Sequence, residues 1–358
     1  MGTKIKVGIL GLGRAGFNMH QSELGKFPEL FKIVAGADPL FNRAEEMQKR
    51  CGARPYHSLE EMLADPEVEL VTIASRSADH VRHALQALEA GKYVMVEKPI
   101  AVNYQEALQY VQAEKKYPGR LFLRHNRRFE PGFAFLRELI ATGNIGEVFE
   151  IKLRRLSYQL RSDWQVLEAC EGGQMNNWGP HLLDQALTLL ESPVTDIWCD
   201  RKHVVAAGDM EDHFRIFLRA ENGRLADIQI SGAVAIPEPY FTVYGTRGTL
   251  VCKNDQELSY NWVIPGTPAV SPAANAGTPA ILPGEPAAGK MNTPLAMRWG
   301  TLMVEPKDKV DTWQIWKFLY QSIREGKPYP ISLTQALEVV RITDEAKRLA
   351  GVQHLVQV

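Results

Sequence analysis

Residues 4–16, KIKVGILGLGRAG, limit what this chain can fold into more than any other stretch. Ile5, Val7, Ile9 and Leu10 form a short apolar run of the kind that makes a buried parallel strand. The run leads into Gly11, Leu12, Gly13, Arg14, Ala15 and Gly16, a G-x-G-x-x-G turn expected to open a helix. Each glycine has its own steric task. Gly11 permits the tight turn, Gly13 lets backbone approach a pyrophosphate, and Gly16 lets the helix lie close to the strand. Free N–H groups at the turn and the helix dipole favour the anion. A second strand over 32–37 ends at Asp38, about twenty residues beyond Gly16, where a carboxylate accepts from an adenosine ribose 2′-OH. The plainer reading makes Asp38 a turn residue before Pro39. A carboxylate there opposes a 2′-phosphate, so NAD is expected ahead of NADP, with Arg43 near enough in sequence to weaken that preference.

The 358 residues suit about two domains. Lys and Arg total 41 against 42 Asp and Glu, so no basic surplus points to nucleic acid. No apolar run approaches the roughly twenty residues of a membrane span, and the chain enters a strand without a signal-like segment. A soluble, cytoplasmic protein is therefore expected. Cys51, Cys170, Cys199 and Cys252 lie far apart with no C-x-x-C pair, so neither a zinc ribbon nor a disulfide framework is indicated.

Up to about residue 125 short apolar strands alternate with amphipathic helices, the pattern of a doubly wound parallel sheet. The spacing predicts helices over 43–50, 58–63, 78–90 and 104–116, and strands near Pro55 and over 70–74, 93–96 and 121–123. Residues 1–125 are read as a Rossmann dinucleotide-binding domain and 126–358 as an α+β domain. In the second, a helix over 131–142 precedes strands at 148–158, 212–219, 224–231, 240–244 and 249–251, with Asn222-Gly223 as a hairpin signal. They imply a large, mainly antiparallel open sheet with one face on helices and the other free to meet water or another subunit. Residues 265–294, rich in Pro, Ala and Gly, read as a linker, a lid or an intersubunit arm. Helices over 311–323 and 333–349, the second with Ser332 and Gln335 as a capping box, should pack back between the domains.

Two stretches carry candidate chemistry. Lys98 follows a buried parallel strand, at the end where open α/β sheets bind ligands, and Glu97 and Pro99 flank it. The alternative is a surface lysine in a turn. In GGQMNNWGPHLLDQAL, residues 172–187, a helix starting near Gly179-Pro180 puts His181, Asp184, Gln185 and Thr188 on one stripe and leucines opposite. His181 suits a general base, with Asp184 one turn on to orient its ring; a solvated polar face is the plain reading. Asn177 is either part of this group or the helix N-cap.

The chain resembles the glucose-fructose oxidoreductase, inositol dehydrogenase and MocA family over nearly its full length. The resemblance rests on GLGRAG with Asp38, HVRHALQALEAGKYVMVEKPI, NRRFEPGF, GNIGEV, GGQMNNWGPHLLD, VYGTRGTL and ISLTQALEVV, in family order. It implies an NAD- or NADP-binding Rossmann domain and a C-terminal sheet that makes homodimers or homotetramers. It also implies Lys98 and His181 at a sugar, cyclitol or polyol site, and a cofactor crevice that includes Ser75, Arg76, His80, Glu97 and Lys98. Asn177 stands where the family usually has aspartate, and Ser75-Arg76-Ser77 where many members have Thr-Pro-Asn. Arg127 and Arg128 are candidates for substrate contact or an interdomain ion pair. Trp164 and Trp178 are candidates for stacking on a sugar ring or for core packing. The expected activity is hydride transfer between nicotinamide and a secondary alcohol. The rivals are a redox-neutral epimerase, lyase or glycosidase using held NAD, and a non-catalytic sugar or nucleotide sensor.

Overall fold

The structure is a computed structural model that describes residues 3–268, 295–304 and 311–355. Most of the Pro- and Ala-rich stretch, from 269 to 294, lies outside the described residues. The first sheet contains β1 (Ile5–Leu10), β2 (Phe31–Ala37), β3 (Arg54–Tyr56), β4 (Leu70–Ile73), β5 (Tyr93–Val96) and β6 (Leu121–Leu123). Its order is β3-β2-β1-β4-β5-β6, with every pair parallel. The apolar runs become strands because both faces are covered: Val7, Ile9, Leu70, Val71, Val94 and Met95 are fully buried. Helix Phe41–Cys51 ends at Gly52, whose φ of +74° suits a left-handed cap. The stretch expected as one helix over 104–116 is two, Tyr104–Ala107 and Gln109–Lys116, the first capped by the Asn103 side chain.

The second sheet contains β7 (Val148–Leu156), β8 (Val194–His203), β9 (His213–Ala220), β10 (Leu225–Ser231), β11 (Phe241–Gly245), β12 (Gly248–Cys252), β13 (Glu257–Val263), β14 (Met297–Met303) and β15 (Val352–His354). The order is β14-β13-β12-β11-β7-β10-β9-β8-β15. Pairing is antiparallel except at β7–β10 and β8–β15. Strands β8, β13, β14 and β15 were not predicted from the sequence. Helices Pro131–Ala141, Gly179–Leu190 and Leu333–Leu349 cover one face, through Phe133, Leu136, Leu182, Leu183, Val339 and Ile342. Phe149, Trp198, Phe217 and Trp299 on the strands remain exposed.

The closing helices behave differently from each other. Helix Ile315–Glu325 buries Ile315, Trp316 and Leu319 in the core of the first sheet. Helix Leu333–Leu349 serves both cores: Ala336 and Val340 enter the first, and Val339, Ile342 and Ala346 the second. Two neighbouring stripes on one helix thus join the halves. The Ser332–Gln335 capping box is present, each side chain accepting from the other's backbone N–H at 3.2 Å.

Candidate active site

The glycine turn follows β1 at the point where strand order reverses, between β1 and β4. Gly11 has φ +86°, and a Cβ there would stand 2.4 Å from the Ala74 carbonyl oxygen. A Cβ on Gly16 would stand 2.2 Å from the Gly11 carbonyl oxygen. Neither position admits a side chain. Gly13 instead faces open space, with nothing within 4 Å of an added Cβ. These residues fit a dinucleotide: two glycines shape the turn and the third leaves backbone accessible to phosphate. Ala15 is partly buried in the turn and Arg14 is exposed. Asp38 is held in place, its Oδ2 accepting from Leu12 N at 2.7 Å and its Oδ1 from Leu40 N at 2.9 Å. Arg43 Nη1 lies 3.6 Å from the same carboxylate, so a cation stands beside Asp38.

The helix after the turn opens as a π-type helix over Ala15–Gln21 and continues as a short α-helical turn, Ser22–Leu24. Its His20 is fully buried, with Nδ1 3.0 Å from Thr72 Oγ1 and Nε2 2.9 Å from Glu97 Oε1. Arg124, also fully buried, donates from Nη1 to Glu97 Oε1 at 2.6 Å and from Nη2 to Glu23 Oε2 at 2.5 Å. Trp316 Nε1 donates to the same Glu23 oxygen at 2.6 Å. Burial alone would raise the Glu97 carboxyl, but Arg124 and His20 outweigh it and hold it well below the usual carboxylate range. Glu97 was expected beside the cofactor. The structure instead turns it into this network, where its Oε2 accepts from Lys98 N at 3.0 Å.

His80 joins two loops. Its Nδ1 lies 2.7 Å from Pro99 O and its Nε2 3.2 Å from Ser75 O, so both ring nitrogens meet protein carbonyls. A neutral imidazole has one N–H and donates to one of them. His80 therefore fastens the loop after β5 to the loop after β4. Ser75 Oγ lies 2.9 Å from His83 Nδ1, and Arg76 stacks its guanidinium on Trp164, 4.1 Å from the ring centre.

Lys98 crosses to the second half of the molecule. Its Nζ donates to Asn177 O at 2.8 Å and to Asn177 Oδ1 at 3.3 Å. Burial lowers its pKa to about 8, helped by the charges of Arg14, Arg127 and Arg161 and opposed by Glu97. Asn177 is thus neither an N-cap nor hydrogen-bonded to His181, but an acceptor for the lysine. Gly172 and Gly173 let the Gln174–Asn177 helix sit close to its supports. A Cβ on Gly172 would meet Gln165 O at 2.6 Å, and one on Gly173 would meet Glu211 Oε1 at 2.4 Å.

His181 lies in the first turn of helix Gly179–Leu190, and the stripe read as polar is enclosed rather than solvated. His181, Asp184 and Gln185 are all buried. His181 Nδ1 is enclosed without a hydrogen-bond partner. Burial, and then Lys98 and Arg127, depress its pKa well below the ordinary histidine value, so the ring is neutral. Asp184 does not orient it. Its carboxylate forms a two-point pair with Arg128, Nε to Oδ2 at 3.0 Å and Nη2 to Oδ1. Arg128 Nη1 also donates to Pro330 O and Gln335 Oε1, both at 2.9 Å, so it joins helix Gly179–Leu190 to the start of helix Leu333–Leu349.

Trp178 touches the His181 ring edge-on, with centroids 5.8 Å apart. Arg127 stacks over its indole at 4.2 Å and pairs with Glu130. Beside Trp178 opens a cavity of about 410 Å³, lined by Arg155, Arg161, Ser157, Gln159 and Gln174 among others. The sequence reading missed Arg155 and Arg161. Two adjacent arginines, Arg154 and Arg155, near the end of strand β7 were the available signal.

An open glycine cradle at the switch point of a parallel sheet fits a nicotinamide dinucleotide. Comparison with known proteins agrees. The profile described as "Oxidoreductase family, NAD-binding Rossmann fold" matches residues 5–125, and that of the "GFO/IDH/MocA C-terminal domain" matches residues 133–251. The chain is similar to scyllo-inositol 2-dehydrogenase (NADP(+)) IolW of Bacillus subtilis, 25% identical over 353 residues, 96% of this chain and 92% of the relative. An uncharacterized oxidoreductase, C26H5.09c of Schizosaccharomyces pombe, is 30% identical over 257 residues, 69% of this chain and 70% of that one. A crystal structure of an NAD-binding protein from Listeria innocua superposes with TM-score 0.80 at 25% identity, over 97% of each chain. The chain belongs to the glucose-fructose oxidoreductase, inositol dehydrogenase and MocA family. Among the described residues no helix is long and apolar enough to cross a membrane.

Proposed function

We propose that the protein transfers a hydride between a nicotinamide dinucleotide, NAD in preference to NADP, and a secondary alcohol of a sugar, cyclitol or related polyol. The observation that carries this reading is Lys98 donating to Asn177, four residues before a neutral His181. When bound, the nicotinamide supplies the hydride acceptor; Gly11, Gly13, Gly16 and Asp38 are the residues that would hold the dinucleotide. Lys98 has three N–H donors; Asn177 takes two, and the third is free for the reacting oxygen. An ammonium there stabilises the negative charge that develops as the alcohol loses its proton. His181, kept neutral by burial and by the neighbouring cations, accepts that proton. The Bacillus subtilis relative is named as an inositol dehydrogenase that uses NADP, which supports a polyol substrate and makes the dinucleotide preference a matter for titration. The exposed Phe149, Trp198, Phe217 and Trp299 support self-association through the second sheet, which light scattering on the eluting protein tests.

The test is a panel of sugars and cyclitols offered with each dinucleotide, read by the absorbance of reduced nicotinamide, with any co-purified nucleotide extracted and identified. Polyol-dependent reduction is expected. Product formed without free reduced nucleotide would move the assignment to redox-neutral chemistry. Dinucleotide binding with no substrate converted across the panel would leave only a sensor.

A further inference from the structure

The cavity beside Trp178 differs in charge from the chain as a whole. The chain carries a formal net charge of −1, yet the cavity lining includes Arg155 and Arg161 and no aspartate or glutamate among the described residues. We infer that the substrate is an anionic sugar or polyol, whose carboxylate or phosphate is received by Arg155 and Arg161 while its reacting hydroxyl lies toward Lys98 and His181. The inference rests on the proposed function and names the substrate class of that same site.

Arg155 is buried, 8% exposed. Its Nη1 donates to Arg154 O at 2.9 Å and its Nη2 to Glu130 Oε2 at 2.7 Å, which occupies two of the five N–H donors of a guanidinium. Its flat face packs on Tyr240, 4.0 Å from the ring centre, which fixes its direction. Glu130 is not its private partner. The same carboxylate pairs with Arg127 and accepts from Gln185 Nε2 at 3.0 Å. One anion therefore serves two guanidinium groups. Arg161 has its own partner in Asp163, at 2.7 Å and 3.0 Å.

Arg127, Arg155 and Arg161 thus face Glu130 and Asp163, which leaves one positive charge in surplus, while Lys98 has the Glu97 charge beside it. Asp255 lies near Glu130, Arg155 and Arg127, but burial and the Glu130 charge push its pKa up to about 6, so it answers that surplus only above this pH. A neutral polyol would add hydroxyl contacts to the cavity guanidinium groups without answering their charge. An anionic substituent balances it, and Arg155 offers rigid, forked donors suited to a carboxylate or phosphate. The cavity volume of about 410 Å³ falls in the range of small-molecule sites. Trp178 joins the two parts of the site, with one edge on His181 and its indole at the cavity wall.

The test uses the full-length protein saturated with its dinucleotide and sets of glucose, galactose and mannose, each offered as the neutral sugar, the uronate and the 6-phosphate. Turnover and calorimetric affinity are both measured. The expected result is that at least one anionic member exceeds its neutral parent by about tenfold or more in kcat/KM or affinity, with an advantage that shrinks as ionic strength rises. The uronate and phosphate arms identify which anion is used. Arg161→Gln, a partly exposed position chosen so that folding is preserved, should weaken the anionic member about tenfold and its neutral parent much less. Neutral parents turned over as well as their anionic forms, or better, would overturn the inference and leave the proposed function standing. Dinucleotide bound with no member of any set bound or converted would overturn both.

Discussion

Replacing Asn177 by aspartate tests the site most directly, because it places a carboxylate where the structure has an amide oxygen 3.3 Å from Lys98 Nζ. At that separation the Coulomb attraction is about 1.3 kcal/mol at the dielectric of water and about 5 kcal/mol at an effective value of about 20. One pKa unit is about 1.4 kcal/mol, so Lys98 should gain about one unit at the low end and return to its ordinary range or beyond at the high end. The sign follows from the role. Lys98 must be protonated to polarise the reacting oxygen, so kcat/KM falls as pH rises through its pKa, which stands at about 8. An added anion favours the ammonium and moves this basic limb upward. The acidic limb, set by His181, should move less, because the Asn177 amide is hydrogen-bonded to the lysine and not to the imidazole. The assay is the pH profile of kcat/KM for wild type and Asn177→Asp under saturating dinucleotide. A basic limb that stays in place while the acidic limb rises would show that residue 177 acts on His181, and the reasoning from the Lys98 contact would fail.

Four further outcomes are expected. Lys98→Ala should leave dinucleotide affinity nearly unchanged and lower kcat by about a hundredfold or more; a change confined to KM would make it a uniform binder. Asp38 should make NAD bind about tenfold more tightly than NADP in direct titration, and equal affinities would mean that Arg43, 3.6 Å away, accepts the 2′-phosphate. Asp184→Asn should leave the acidic limb where it is but cost about 3–5 kcal/mol of stability in denaturant unfolding, because buried Arg128 loses its carboxylate; a shifted limb would return Asp184 to the histidine. Glu97→Gln should move the basic limb below its wild-type position, because the Glu97 charge raises the Lys98 pKa, and an unmoved limb would separate the two residues.

What could be read from the sequence was what local geometry dictates. The glycine turn is legible because Gly11 and Gly16 have no room for a Cβ, a constraint set within one turn and its neighbouring strand. Ser332 and Gln335 are legible for the same reason, since the capping box closes within four residues. Gly223, with φ +85°, completes the hairpin that Asn222-Gly223 announced. Strand β8 was not legible: Thr195, Asp196, Asp200 and Lys202 are mixed with Ile197 and Trp198, and the buried position 201 is an arginine, so no clean apolar alternation marks the strand. Strand β15 is three residues long and exists only because β8 offers an edge. The partners of Glu97, Asn177 and Asp184 were not legible either. Each is set by residues 27, 79 or 56 positions distant in the chain, and helical spacing alone put Asp184 next to the wrong group.

The segment after β6 engages two carboxylates expected at the site, Glu97 in the cofactor crevice and Asp184 beside His181. Arg124 and Arg128 stand four residues apart; one takes Glu97, the neighbour of Lys98, and the other takes Asp184, on the helix of His181. Buried ion pairs of this kind add little net stability, because desolvation cancels much of the Coulomb gain, but losing either member is expensive. Their consequence is positional. Lys98 belongs to the first sheet and His181 to a helix covering the second, and the two would be free to shift relative to each other if only apolar packing joined the halves. Arg124 fixes the strand end that carries the lysine, Arg128 fixes the helix that carries the histidine, and a few residues of backbone hold the arginines at constant separation. Because Glu97 and Asp184 are engaged in this way, neither hydrogen-bonds to the Lys98 ammonium or the His181 ring. The same arrangement that sets the distance between Lys98 and His181 therefore leaves the lysine depressed to about 8 and the histidine neutral.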